Sequence, residues 1–199
     1  MRKGWEDIKA HIVAVQREAD ELLISPRFIE FLITAEDHRY GYHPGVDPIA
    51  LCRAFWRSTF CGKREGGSTI AMQLVRVLTG RYEKTLTRKL VEICLAVRLR
   101  SLVSESELPK LYLVVAYFGW RMNGLKQASQ HLNLELSNAS RTDVAKLIAR
   151  LKYPEPKKCT VERANQIYLR AIHILKLSNS IYGNKIHQIS RAAKNIGSI

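Results

Sequence analysis

Three groups of residues in this chain have the types and spacing to do chemistry. Glu36 and Asp37 close a stretch in which Phe28, Phe31, Leu32 and Ala35 recur at helical spacing, so one carboxylate is expected at the edge of a core. Partial burial raises a carboxyl's pKa and makes it a better base. Arg39, three residues beyond Glu36, can hold it ionised or bind an anion, and His43, Gly45 and Asp47 follow in a turn rich in glycine and proline. The plainer account is an acidic helix end capping its neighbours. Gly66-Gly67-Ser68-Thr69 sets hydroxyls at a helix start, where backbone N–H groups cradle phosphate. It lacks the Walker spacing, and an ordinary capped loop fits it equally well. Lys84, Arg88 and Glu92 step by four residues, which places them on one helix face, with Lys89 alongside and Arg81 one turn earlier. Salt bridging at that spacing is worth only ~0.3–0.5 kcal/mol per pair. One glutamate cannot neutralise four cations, so the excess favours a cationic ridge suited to a diphosphate.

The elements that must position these groups read as helices nearly throughout. Trp5, Ile8, Ile12, Val15, Ala19, Leu22 and Leu23 recur every three or four residues and predict a first amphipathic helix within residues 1–23. Ser25-Pro26 reads as N-cap and first helical residue of a second helix, and Asp47-Pro48 repeats the signal before Ile49 to Phe60. Ser68 or Thr69 caps a helix that Gly80 ends. A long helix is expected from about Tyr82 to Val103. Ser104 and Glu107 form a capping box for the next helix, with Pro109 shifting its start. Asn123-Gly124 is a turn. Helices near 141–151 and 160–177 flank the Pro154-Glu155-Pro156 loop, and residues 178–199 form a basic tail with room for a short helix. No repeat and no strand pattern is evident, so the expected fold is a single all-helical domain.

Composition narrows the partners. The 199 residues carry 32 Lys and Arg against 18 Asp and Glu, a formal charge of +14. That excess points to an anionic partner: nucleic acid, an anionic membrane or a phosphate-bearing substrate. The charge is uneven. Residues 1–37 hold five basic and eight acidic residues, and no acid follows Glu162. The longest apolar run, Leu111 to Trp120, is ten residues, short of the roughly 18 needed to cross a bilayer. The N-terminus meets acids too early for a signal peptide. Cys52, Cys61, Cys94 and Cys159 lack metal-type spacing and are expected as buried small hydrophobes.

The three groups, in this order, resemble glycosyltransferase family 51, the peptidoglycan glycosyltransferases found alone or in bifunctional penicillin-binding proteins. Ala35-Glu36-Asp37-His38-Arg39-Tyr40, with His43 and Gly45-Val46-Asp47, resembles the first motif of that family. Gly66-Gly67-Ser68-Thr69-Ile70 with Gln73-Leu74-Val75 resembles the second. Lys84, Arg88-Lys89 and Glu92 match the third, Leu111-Tyr112-Leu113 with Tyr117-Phe118-Gly119 resembles the fourth, and Ala164 to Leu177 resembles the closing helix. The likeness covers residues 24–177. Where the family usually has a second Gln, this chain has Met72. Val114 and Arg100 stand in place of Asn and Glu, and His131-Leu132-Asn133 in place of an aromatic pair.

The resemblance implies a lysozyme-like, all-helical fold with a large lobe and a small membrane-facing lobe. It implies polymerisation of lipid II into glycan strands. Glu36 would be the base that takes the proton from the acceptor sugar's 4-hydroxyl, and that oxygen would displace the polyprenyl diphosphate with inversion. Lys84, Arg88 and Lys89 would hold the leaving diphosphate, and Arg39, Ser68, Thr69 and Gln73 would line the donor side. Glu92 would position the acceptor or a divalent cation, magnesium or manganese, accompanying the diphosphate. The implied partners are lipid II, the growing strand, the outer face of the cytoplasmic membrane and a membrane-anchored cell-wall synthesis partner. Family members usually carry an N-terminal transmembrane helix. A chain without one is trimmed, held by such a partner, or acts away from that face, the cytoplasm included. Membrane contact is then expected through the basic residues 178–199 and through Phe55, Trp56 and Phe60, if those are exposed. Two other readings stand beside this one: a non-catalytic relative that binds lipid-linked glycan or a cell-wall partner, and a basic helical nucleic-acid binder. The latter leaves the motif order unexplained and lacks any nucleic-acid-binding signature.

Overall fold

The computed structural model describes residues 2–62 and 66–196. Its elements, in chain order, are α1 (Arg2–Glu21), α2 (Pro26–Glu36), a 3-10 turn (Tyr40–Tyr42), α3 (Pro48–Phe60), α4 (Ile70–Thr79), α5 (Leu86–Leu99), α6 (Leu108–Val115), β1 (Tyr117–Gly119), β2 (Met122–Asn123), α7 (Gly124–His131), α8 (Arg141–Lys152) and α9 (Val161–Ile196). The fold is all-helical apart from the β1–β2 hairpin.

The helix starts follow their caps. Asp47 accepts from the Ile49 and Ala50 N–H groups, Thr69 from Met72 and Ser140 from Asp143, each satisfying donors that a helix N-terminus leaves orphaned. Pro26 and Pro48 occupy the first turns of α2 and α3, where a missing N–H costs nothing. The Ser104 and Glu107 box forms in both directions, and α6 starts just beyond it with Pro109 in its first turn.

Three elements differ from the sequence reading. The helix expected from Tyr82 begins only at Leu86, because the Thr85 hydroxyl accepts from the Arg88 N–H and caps it there. Gly80 ends α4 in the left-handed region, and residues 81–85 cross between the two helices without regular secondary structure. The second difference is the hairpin. Its strands are too short to show alternation, and its turn is Trp120-Arg121, with Arg121 at φ 60°, not an Asn-Gly pair. Third, α9 continues without a break to Ile196. At 1.5 Å per residue its 36 residues span about 54 Å.

Two groups of helices pack around one core. α8 lies along α9, with α2 against both. α4 packs on α5 and α6, and α1 crosses α6 and α4 with Trp5, Ile8 and Ile12 buried. Contact between α2 and α6 joins the groups, and Phe28, Phe31, Leu32, Leu111 and Leu113 fill the junction. Burying one such side chain is worth ~1.5–3 kcal/mol. α3 stands off this body: it buries no residue fully, and Phe55, Trp56 and Phe60 are 70%, 61% and 64% exposed. The Trp56 and Phe60 rings lie 4.4 Å apart. The four cysteines are exposed rather than buried. Their positions follow from this arrangement, since Cys52 and Cys61 ride on α3 and its end while Cys94 faces outward from α5.

Candidate active site

Glu36 is the last residue of α2, at the junction of the two groups of helices. Gln73 on α4 donates from Nε2 to Glu36 Oε2 at 3.1 Å and in turn accepts from the Tyr112 hydroxyl at 2.6 Å. Arg170 on α9 sits 3.5 Å from Glu36 Oε1 and donates to the Ala35 carbonyl at 2.7 Å. Side chains from α4 and α9 thus reach the α2 carboxylate directly, and Tyr112 of α6 braces Gln73, leaving the Glu36 side chain 17% exposed. Burial raises its pKa above the ordinary carboxylate value, while Gln73, Arg170 and Lys152 pull it back down. The carboxylate lines a cleft of about 480 Å³ whose other walls include His38, Arg53, Ser68, Arg76, Lys152 and His173. It is thus a desolvated base in a cationic cleft.

The second cluster adjoins this cleft. Glu92 on α5 is 3% exposed. Arg76 donates to it at 2.8 Å, Lys89 at 3.4 Å, and Arg88 is hydrogen-bonded to its Oε2. The Ser68 hydroxyl accepts from Lys89 at 2.9 Å and from Arg76 at 3.3 Å. Ser68 and Arg76 also line the Glu36 cleft, so the cation cluster reaches the base's cleft through these two residues. Burial lowers the Lys89 pKa, against the pull of Glu92. Among the described residues, no group of three or more His, Cys, Asp or Glu converges to ligate a metal. Both Glu92 oxygens are already taken by cations, so this donor set does not fit a resident divalent ion.

The remaining motif residues hold the site's frame. Asp37 is buried and accepts from the Ile70 N–H at 3.1 Å and from His43 Nε2 at 2.9 Å. It ties the end of α2 to the start of α4. Arg39 donates to Asp47 at 3.0 Å, which braces the cap of α3. Thr69 donates to the Gly45 carbonyl at 2.6 Å and is 2% exposed, so its hydroxyl faces the protein and not the cleft. Gly45 has φ 97°, and a Cβ there would lie 2.6 Å from the Arg100 side chain. Gly67 lets the chain pass α3 so closely that a Cβ would sit 2.8 Å from that of Ala54.

Of the residues singled out in the sequence, Glu36, Gln73, Ser68, Arg88, Lys89 and Glu92 are brought together. Lys84 is exposed on the irregular segment before α5, and among the described residues it makes no hydrogen bond or ion pair with that cluster, because the helix that would have aligned it with Arg88 starts two residues later. Arg76, Lys152, Arg170 and His173 were missed. Arg76 was within reach, since it follows Gln73 by three residues on one helix and so shares its face. Arg170 carried no local signal, being 134 residues from Glu36. Met72 and Val114 are 0% and 3% exposed within the core and leave the Gln73 and Tyr112 hydrogen bonds intact.

Comparison with known proteins follows the same outline. The transglycosylase family profile matches residues 10–179. The chain is similar to penicillin-binding protein 1A of Escherichia coli, with 39% identity over 54% of this chain and 13% of that protein. It is similar to penicillin-binding protein 1F of Bacillus subtilis, with 35% identity over 63% of this chain and 18% of that protein. It is also similar to penicillin-binding protein 1A of Haemophilus influenzae, with 30% identity over 80% of this chain and 20% of that protein. The chain spans a fifth or less of the length of each of these relatives.

Proposed function

The chain belongs to the transglycosylase family, and on that premise we propose that it is a peptidoglycan glycosyltransferase polymerising lipid II. Glu36 takes the proton from the acceptor sugar's 4-hydroxyl as that oxygen attacks the donor's anomeric carbon. The donor's polyprenyl diphosphate leaves from the opposite face, which inverts the configuration. Arg76, Arg88 and Lys89 meet the negative charge growing on the leaving diphosphate, where fixed cations in a dry site act most strongly. Glu92 keeps those three cations clustered and does not itself touch the acceptor. Gln73 and Arg170 aim the base and limit how far burial raises its pKa. Ser68 lies between base and cations and lines the donor side. Arg39 supports that wall through Asp47.

A single observation carries the reading: a largely buried carboxylate of raised pKa opens onto a cleft also lined by Ser68 and Arg76, and those two residues belong to the cluster that gathers three cations around Glu92. The burial of Met72 and Val114 favours activity over a non-catalytic role, because neither departure strips a donor from the cleft. The test is incubation with labelled lipid II in detergent, with products separated by size. Wild type is expected to form polymer and Glu36→Gln to lose at least ~10²-fold in rate. A Glu36→Gln variant within a few-fold of an active wild type would remove Glu36 from this role.

A further inference from the structure

A second charged surface begins at the cleft and leads away from it. Lys152, which lines the cleft, holds its ammonium 5.6 Å from the centre of the Tyr153 ring, and Arg163 sits 5.8 Å from the same ring. Two residues on, the Glu155 backbone joins the hairpin: its carbonyl accepts from the Trp120 N–H at 2.7 Å and its N–H donates to Phe118 at 3.1 Å. Trp120 carries Arg121 at 4.4 Å and Lys157 at 5.5 Å. Two aromatic rings thus hold four cations in a strip running from the cleft to the hairpin tip.

Two features set this strip apart from an ordinary basic surface. Among the described residues, Arg121, Lys157 and Arg163 form no ion pair with a carboxylate, while Lys152 faces the Glu36 carboxylate across the cleft without closing an ion pair on it. Glu155 is taken by Arg150 at 2.6 Å, and Glu162 accepts from Thr160 at the start of α9. The other feature is Arg121 at φ 60°, a conformation that non-glycine residues adopt rarely and under strain. The fold tolerates that strain where it stacks a guanidinium on an indole.

We propose that this strip binds the newly made glycan strand through the carboxylates of its stem peptides, as a site outside the catalytic cleft. The inference rests on the function proposed above, under which the strand is made in the cleft that Lys152 lines. A polymer with carboxylates at regular intervals matches a row of cations with rings beneath them, three of which have no ion-pair partner among the described residues. Nucleic acid matches less well, because Arg121 and Lys157 occupy positions over the indole where a base would stack.

The test compares wild type with the double variant Arg121→Asn/Lys157→Gln. Asn is chosen because it tolerates the left-handed conformation, and an unchanged melting temperature checks the fold. The probes are soluble uncrosslinked glycan strands with stem peptides, the same strands stripped of peptides by an amidase, and duplex DNA. Wild type is expected to bind peptide-bearing strands at least about tenfold more tightly than stripped ones, less so as salt rises, and the variant to lose that preference. The variant should also keep its initial coupling rate while releasing shorter products. Equal binding of the two kinds of strand, an unaffected variant, or tighter binding of duplex DNA would overturn the proposal. Strand binding requires no turnover. An inactive wild type that keeps the preference would therefore count against the glycosyltransferase reading alone, and an active one without it against this inference alone.

Discussion

Glu36 has two opposing influences on its ionisation, and they make a signed prediction. A base must be ionised to accept a proton, so activity falls as pH drops through its pKa. Burial places that limb above the ordinary carboxylate range, and the Gln73 amide draws it back. Gln73→Leu removes a donor to the charged form, so the acid limb of kcat/KM is expected to move to higher pH. Arg170→Gln should move it the same way. A limb that stays put or moves down in a pH–rate profile would contradict both assignments. Stability carries the same sign. A carboxyl whose folded pKa exceeds its unfolded one destabilises the fold once pH rises above the unfolded value. Glu36→Gln is therefore expected to melt no lower than wild type at neutral pH, and calorimetry would show it.

Among the elements, the start of α5 decides which cations count. The Thr85 cap leaves Lys84 outside the helix, whereas Arg76 arrives from α4 to complete the cluster around Glu92. Arg76→Ala and Arg88→Ala are expected to lower kcat/KM on lipid II on the order of 10²-fold each. Lys84→Ala should change it only a few-fold, and the opposite ranking would reject this cluster as the diphosphate site. The joints between elements are tested separately. Gly45→Ala puts a Cβ into Arg100 at a left-handed φ and should destabilise by ~1–3 kcal/mol, seen as a lower denaturant midpoint.

For the whole molecule, the charge and the exposed aromatics belong to one question, which is how the protein would reach the lipid-borne substrate proposed above. Among the described residues no helix is long and apolar enough to cross a membrane. α3 instead presents Phe55, Trp56 and Phe60 to solvent, a surface suited to shallow insertion beside anionic headgroups. Liposome sedimentation is expected to show binding to anionic vesicles that salt weakens, at ~1 kcal/mol per cation near the surface. Phe55→Ser/Trp56→Ser/Phe60→Ser should reduce binding more than truncation after Ile181 does. Truncation there spares Ser178, which is buried and bonded to Glu30 and Arg141. Equal binding to neutral and anionic vesicles would separate the charge from the attachment.

Local chemistry was legible in the chain itself. Ser25-Pro26, Asp47-Pro48 and Thr69 mark helix starts because capping depends on a residue and its next three neighbours. The period of Trp5, Ile8 and Ile12 marks a buried face because 3.6 residues make a turn. Glu36 stood out for the same reason, at the end of an apolar stripe. What neighbours in sequence cannot encode is which distant groups meet. Arg170 reaches Glu36 across 134 residues, and Arg76 rather than Lys84 joins Glu92 because α4 and α5 pack together while a cap ends the helix short of Lys84. The exposure of α3 and of the four cysteines was decided in the same way. An apolar face shows only that burial would be favourable, and packing elsewhere in the chain determines whether any surface comes to cover it.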